Sequence, residues 1–270
     1  MAKKIIISII LSFLVGSFIA FLSSEKSNTT KTSSEIASSP YANLSSEPTG
    51  WGFKKEKNKE PDINKSISET FSKYNTFYID PKREKTLYLT FDEGYENGYT
   101  EKILDVLLKT KTPAAFFLTG PYLEKDTELV KRMFDEGHIV GNHTVNHPNL
   151  AKCSLEKAEH ELVELSQMCE QIYGQKMTFM RPPEGEYSEQ LLALANDLGY
   201  KTILWSFAYR DWDIKNQKGA DYAYNATIPY LHNGAIILLH AVSSDNAEAL
   251  EQIINTAKEQ GYVFKSLDNL

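Results

Sequence analysis

Two histidines four residues apart, in His143-Thr144-Val145-Asn146-His147, stand directly behind a short apolar run. Imidazoles at this spacing suit a divalent metal ion such as zinc if a third donor comes from elsewhere in the chain. Taken alone they are equally well a polar turn ahead of Pro148. The zinc-protease pattern needs a Glu beside the first His, where Thr144 stands, so that chemistry is excluded. A second candidate is Thr90-Phe91-Asp92-Glu93-Gly94, in which two carboxylates close an apolar run. A charge at the end of a buried strand is costly unless it is paired or metal-bound. The plain alternative is a loop with two solvated acids. Arg181-Pro182-Pro183 stiffens the backbone immediately after a guanidinium and so fixes where it points. His240 closes the run Ala-Ile-Ile-Leu-Leu, an apolar setting that tunes an imidazole towards acid–base use. Asp211-Trp212 places an acid beside an indole, whereas His138, His160 and His232 lack such company and read as structural or solvated. The chain has no Gly-x-Ser-x-Gly elbow, phosphate loop or dinucleotide fingerprint, and neither cysteine has a convincing base beside it.

Something must bring these scattered residues together. Apolar runs at about 87–91, 114–118, 138–141, 178–180, 201–207, 235–239 and 262–267 read as buried strands. Helical stretches separate them, at about 99–110, 126–136, 154–173, 188–198, 219–231 and 246–260. The clearest helix repeats Leu155, Ala158, Leu162, Leu165, Cys169 and Ile172 at three- and four-residue steps behind Ser154, an N-cap residue type. Strands alternating with helices imply an α/β fold with parallel strands and right-handed crossovers. Asp92, His143, Arg181, Asp211 and His240 each fall at or just past the C-terminal end of a different strand. In a barrel those ends share one face, and that is where such folds build active sites. The expected architecture is therefore a distorted (β/α) barrel of about seven strands. Cys153 and Cys169 bracket one helix, about 24 Å apart at 1.5 Å per residue, so they cannot pair within it and read as packing residues.

Ahead of this domain, Lys3 and Lys4 precede an uncharged run of eighteen residues, 5–22. Such a run is long enough to cross a bilayer, and the lysines hold its start in the cytoplasm. Residues 1–22 therefore read as a signal peptide or, in preference, an uncleaved membrane anchor. Either way the remainder lies outside the cytoplasmic membrane, anchored or secreted. No cysteine follows the run, which excludes a lipoprotein. Residues 23–65 are rich in Ser, Thr, Lys, Glu and Asn and read as a flexible stalk, interrupted by Trp51-Gly52-Phe53, which could dock on the domain. Residues 66–270 are the folded domain. The whole chain of 270 residues is 41% hydrophobic and 24% charged, near the globular norm. Two cysteines cannot staple it, so a buried core must hold it. Its formal net charge of −7 is more negative still beyond residue 65, which argues against nucleic acid as a partner.

In order, Asp-Glu-Gly, His-x-x-x-His, Arg-Pro-Pro, Asp-Trp and Leu-Leu-His closely resemble the polysaccharide deacetylase family of carbohydrate esterases, over roughly residues 66–270. Trp51-Gly-Phe-Lys-Lys, the run 90–99, Gly141-Asn-His-Thr and the run 238–250 sharpen the resemblance, to the delta-lactam-biosynthetic de-N-acetylases of spore-forming bacteria. The resemblance implies a hydrolase that removes the acetyl group from N-acetylmuramic acid in spore-cortex peptidoglycan, on the way to muramic delta-lactam. It also implies glycan strands as partner, an amidase that strips peptides upstream, and a divalent metal, zinc by preference. Carried over by position, Asp92 is the catalytic base and His240 the general acid. Arg181 holds the base, Asp211 tunes His240, and Trp212 and Leu238 wall the acetyl pocket. His143 and His147 are metal ligands, with Glu93 where the family has a second Asp. That exchange, and Glu184 where a Tyr is common, are the departures. A longer Glu either bends to ligate or swings away and leaves a weakly held metal. Two other readings remain open: deacetylation of another N-acetylhexosamine polymer (glucosamine-type peptidoglycan or chitin), and a non-catalytic glycan-binding domain.

Overall fold

The computed structural model describes residues 39–270. The expected membrane or signal segment 1–22 and the first part of the expected stalk lie outside the described residues. Among the described residues no helix is long and apolar enough to cross a membrane. Along the chain run β1 (Thr49–Gly50), α1 (Lys65–Lys73), β2 (Thr76–Phe77), β3 (Thr86–Glu93), α2 (Thr100–Thr110), β4 (Ala114–Leu118), α3 (Gly120–Lys125) and α4 (Thr127–Asp135). Then come β5 (Ile139–Asn142), α5 (Leu155–Tyr173), β6 (Phe179–Met180), β7 (Glu186–Tyr187), α6 (Glu189–Asp197) and β8 (Lys201–Ile203). The chain ends with α7 (Ala220–Thr227), β9 (Ala235–His240), α8 (Ser244–Glu259) and β10 (Val263–Phe264).

The seven expected strands are present, joined by β2, in a parallel sheet of order β10-β3-β4-β5-β6-β8-β2, with β9 also on β3. The sheet curls until single bridges carry it round, Phe207 to Ile237 in parallel and Ile79 to Ala235 antiparallel. The barrel is therefore distorted, closed by isolated bridges rather than a full ladder. The expected strand 201–207 stops at Ile203 and rejoins the sheet only at Phe207. The expected helix 219–231 ends as α-helix at Thr227 and tightens to a 3₁₀ turn over Ile228–Tyr230, where Pro229 removes a donor. The two-residue strands β1, β2 and β7 and the six-residue α3 were not legible because they are too short to show a period.

Alternation along the strands decides what faces the site. On β3, Leu87, Leu89 and Phe91 pack with Ile103, Leu107 and Phe116 in the layer under the helices. Tyr88 packs with Ala115, Phe117, Phe179 and Ile203 in the second layer, on the inner face of the curl. Asp92 shares the Tyr88 face and Glu93 the Leu89 face. The helices are closed as their ends require. Ser154 Oγ accepts the Lys157 N–H at the start of α5, and Gly174 ends it at φ +68°, a left-handed conformation that glycine adopts without strain. Cys169 is buried and both cysteines are free thiols.

The stalk boundary expected at residue 65 is corrected, because the compact unit begins at Pro40. β1 pairs antiparallel with β7, and Trp51 is buried among Phe71, Tyr74, Tyr78 and Tyr187. Few apolar residues suffice to dock this segment, since the domain supplies most of the surface that covers the indole.

Candidate active site

Asp92 and His240 are direct register partners in the parallel pair β3–β9, so both side chains leave the sheet on the same face. They line one cavity of about 400 Å³ together with His143, His147, Glu184, Gly185, Trp205, Ala208, Tyr209, Trp212 and Leu238. Residues from five separate chain regions thus meet at one end of the barrel, as the strand-end argument requires.

Arg181 is fully buried and spends its whole guanidinium on this site. Nη1 donates to Asp92 Oδ1 at 2.7 Å, Nη2 to Thr90 Oγ1 at 2.8 Å, and Nε to the Ile203 carbonyl at 2.9 Å. The Phe117 ring lies 4.3 Å beneath it. Burial alone would raise the Asp92 pKa; the Arg181 charge, with smaller contributions from the imidazoles of His143 and His240 when they are protonated, outweighs it and holds the carboxyl below its usual value. His240 Nδ1 donates to Asp211 Oδ1 at 2.8 Å, and the His240 backbone N–H donates to Asp211 Oδ2 at 2.8 Å. Burial opposes protonation of His240, but Asp211 and then Asp92 overcome it and raise its pKa above 6.5.

With Nδ1 donating to the Arg181 carbonyl at 2.8 Å, His143 keeps its Nε2 lone pair free, 3.6 Å from Asp92 Oδ2. Burial pushes its pKa down to about 4, against partial opposition from Asp92, so the ring is neutral, the form that ligates metal. His147 meets it edge to face at 4.8 Å between ring centroids. The donor set suits a divalent ion with two imidazole nitrogens. Among the described residues no group of three or more His, Cys, Asp or Glu side chains is arranged to hold one.

Glu93, expected as the third ligand, is corrected. It is fully buried on the opposite face of β3; Oε1 accepts from Thr100 Oγ1 at 3.3 Å, and Oε2 has no hydrogen-bond partner. Burial, then the nearby Glu96 charge, push its pKa well above the ordinary value. Consecutive strand residues point to opposite faces, so Asp92 and Glu93 cannot both reach the histidines while the ladder runs to residue 93.

Several residues that build the site were not singled out from the sequence. Asn246, from α8, donates to Asp211 Oδ2 at 2.6 Å and to the His240 carbonyl at 3.2 Å. Glu161 accepts the Asn146 N–H at 2.8 Å and the Asn146 side-chain amide at 3.1 Å, holding the loop between the two histidines. The signal for Glu161 was available: it is an acid on the buried face of a helix, between Ala158 and Leu165. Trp205, Tyr209 and Ala208 sit where the chain leaves β8, in a stretch whose apolar residues imitate a continuing strand. Glu184, by contrast, was singled out as a departure from the family pattern; it lines the cavity, held left-handed at φ +60° and ψ 0° and anchored by Asn149 Nδ2 at 2.9 Å.

Comparison with known proteins gives the family. The polysaccharide deacetylase family model matches residues 79–203. The peptidoglycan-N-acetylmuramic acid deacetylase PdaA of Bacillus subtilis is 48% identical over 226 residues, covering 83% of this chain and 86% of that protein. The chain belongs to the polysaccharide deacetylase family. A solved structure of B. subtilis PdaA, described as a family 4 carbohydrate esterase, superposes with a TM-score of 0.80 at 47% identity, over 83% of this chain and 97% of that one. A family 4 carbohydrate esterase from Bacillus anthracis gives 0.71 at 41% identity, over 84% and 97%. As a member of this deacetylase family, the chain is a carbohydrate N-deacetylase, a hydrolase of amide bonds.

For a deacetylase that works with Asp92 ionised and His240 protonated, the two shifts set the pH profile. The acid limb is expected below the usual carboxylate value of 3.8 as far as Asp92 governs it, and the alkaline limb above 6.5. Asp211→Asn removes the main charge that raises His240, so the alkaline limb of kcat/KM should move to lower pH. An unmoved limb in that variant would separate Asp211 from the titration.

Proposed function

We propose that this protein removes the acetyl group from N-acetylmuramic acid residues of peptidoglycan glycan strands, in the sequence of reactions that leads to muramic delta-lactam of the spore cortex. The reading is carried by the convergence of Asp92, His143, His147 and His240 on one cavity in a chain so similar to PdaA. Asp92 takes the proton of the attacking water, and the Arg181 guanidinium keeps it ionised and aimed. His240 Nε2 faces the cavity while Nδ1 is held by Asp211, so the ring delivers a proton to the departing amine. Trp212 and Leu238 wall the space beside these groups and receive the acetyl methyl. A divalent ion, zinc by preference, would be held by His143 and His147 and would polarise the acetyl carbonyl and acidify a bound water.

Acetate release and mass-spectrometric analysis of peptidoglycan, with and without amidase pretreatment, test the reading. Deacetylated muramic acid from amidase-treated glycan is the expected product. Deacetylated glucosamine instead moves the assignment to another N-acetylhexosamine, and no acetate from either leaves a glycan-binding domain.

Metal dependence follows from the orientation of Glu93. With two neutral protein ligands the site lacks the carboxylate charge that a third would add, so the ion should be lost to mild chelation and activity restored by added zinc. Glu93→Gln should leave metal affinity unchanged within about twofold, since its carboxyl is raised towards the neutral form and faces away. Titrating zinc into chelated enzyme while following acetate release checks both statements. A marked loss of affinity in Glu93→Gln would return Glu93 to the ligand set.

A further inference from the structure

The segment Trp51-Gly52-Phe53-Lys54-Lys55 lies far in sequence from every residue of the machinery, yet its bonds end on the cavity walls. The Trp51 backbone N–H donates to the Gly185 carbonyl at 2.9 Å, and Trp51 Nε1 donates to the Trp205 carbonyl at 2.8 Å. Lys55 Nζ donates to the Ala208 carbonyl at 2.7 Å, with its ammonium 5.0 Å from the Phe207 ring centroid and 5.2 Å from that of Tyr230. Gly185, Trp205 and Ala208 all line the cavity that holds Asp92 and His240. They belong to two different walls. Gly185 is on the loop that follows Arg181, whereas Trp205 and Ala208 are on the irregular chain between β8 and Asp211.

Those walls touch. Gly185 has φ +66°, and a Cβ built there would lie 2.5 Å from Cη2 of Trp205. No ladder of the parallel sheet joins them at this contact, because β8 ends at Ile203 and the next bridge to the sheet is at Phe207. Trp51 spans the pair with one donor to each wall. The indole is seated by Phe71 at 5.3 Å and Tyr78 at 5.2 Å between ring centroids, and β1 is paired to β7 just beside it. Asp92 and His240 take none of their hydrogen bonds from this segment: Arg181 holds Asp92, and Asp211 and Asn246 hold His240.

We infer that residues 49–55 are a clamp that sets the distance between the two walls of the glycan cavity, with Trp51 and Lys55 as positioning residues that govern substrate affinity rather than the chemical step. The inference rests on the deacetylase reading for its substrate, an N-acetylated glycan.

The test uses the full zinc-replete chain with three substitutions. Trp51→Phe keeps an aromatic ring in the seat and deletes the indole N–H together with part of the ring system. Lys55→Met deletes the ammonium, and Lys55→Arg restores a donor. Steady-state acetate release from amidase-treated glycan strands gives KM and kcat, and calorimetric titration of the same strands gives Kd whether or not turnover is seen. Trp51→Phe and Lys55→Met should each raise KM and Kd about fivefold, the scale of one net hydrogen bond. In both, kcat should stay within about twofold and the pH profile should not move, while Lys55→Arg should recover most of the affinity. Unchanged Kd and KM in both variants would overturn the clamp, as would a fall in kcat at constant Kd. If Trp51→Phe melts well below the wild type, Lys55→Met, whose ammonium lies over Phe207 and Tyr230 rather than in the seat, decides alone. Wild-type binding without acetate release would refute the deacetylase reading and leave the clamp to be judged by Kd.

Discussion

Asp92→Asn is expected to release acetate at least about a hundredfold more slowly than the wild type, the usual scale for a missing general base. The same substitution is also expected to destabilise the domain, for a reason the site makes plain. Arg181 is fully buried and Asp92 is the carboxylate it bonds, at 2.7 Å. An Asn at 92 leaves a buried guanidinium without its counter-charge, which costs about 3–5 kcal/mol when one partner of a buried pair is removed. The sign of the pH effect follows from the depressed pKa of Asp92. Its contribution to stability is complete above the unfolded carboxyl value near 3.8 and is lost as pH falls through the lower folded value. The gap in melting temperature between wild type and Asp92→Asn should therefore narrow in strong acid. Acetate release measured beside thermal melting separates the two effects. Wild-type turnover in folded Asp92→Asn would remove Asp92 from the role of base.

The second large effect is expected at His240. His240→Ala should lower kcat by about 10²–10⁴, the range for a lost general acid, while Kd for the glycan stays near the wild-type value. Stability should suffer less than in Asp92→Asn. Asp211 loses its bond to the ring but keeps the residue-240 backbone N–H at 2.8 Å and the Asn246 amide at 2.6 Å, so its carboxylate is not stranded. Single-turnover acetate release with saturating glycan, compared with calorimetric Kd, distinguishes the roles. Collapse of binding with normal turnover of the bound complex would make His240 a binding residue instead.

Much of the site was legible because strand ends in a parallel α/β fold lie on one face. The positions of Asp92, His143, Arg181, Asp211 and His240 at or just past the ends of five different apolar runs were enough to predict that they meet, and they do. The apolar runs themselves, and the three- and four-residue steps of Leu155 to Ile172, located the strands and the longest helix to within a few residues. These are local signals, set by side-chain periodicity and by capping residues such as Ser154.

What stayed hidden depends on which way a side chain leaves its strand and on what distant chain packs against it. Asp-Glu reads as two adjacent carboxylates, but the ladder of β3 with β4 continues through Glu93, and that sends the second acid under the helices. A polar, Ser-rich leader reads as stalk, yet residues from Pro40 onward are docked, because the aromatic seat for Trp51 is assembled from residues up to 136 positions away. Asn246 and Glu161 likewise acquire their roles only from the loops they face. Sequence alone therefore determined the element order, the face on which the chemistry gathers and the residues able to perform it. The tertiary structure alone decided that Glu93 faces away from His143 and His147 and which remote segment bonds to the cavity walls. The reason is physical: periodicity is written within one element, whereas strand register and interelement hydrogen bonds exist only once the elements have packed.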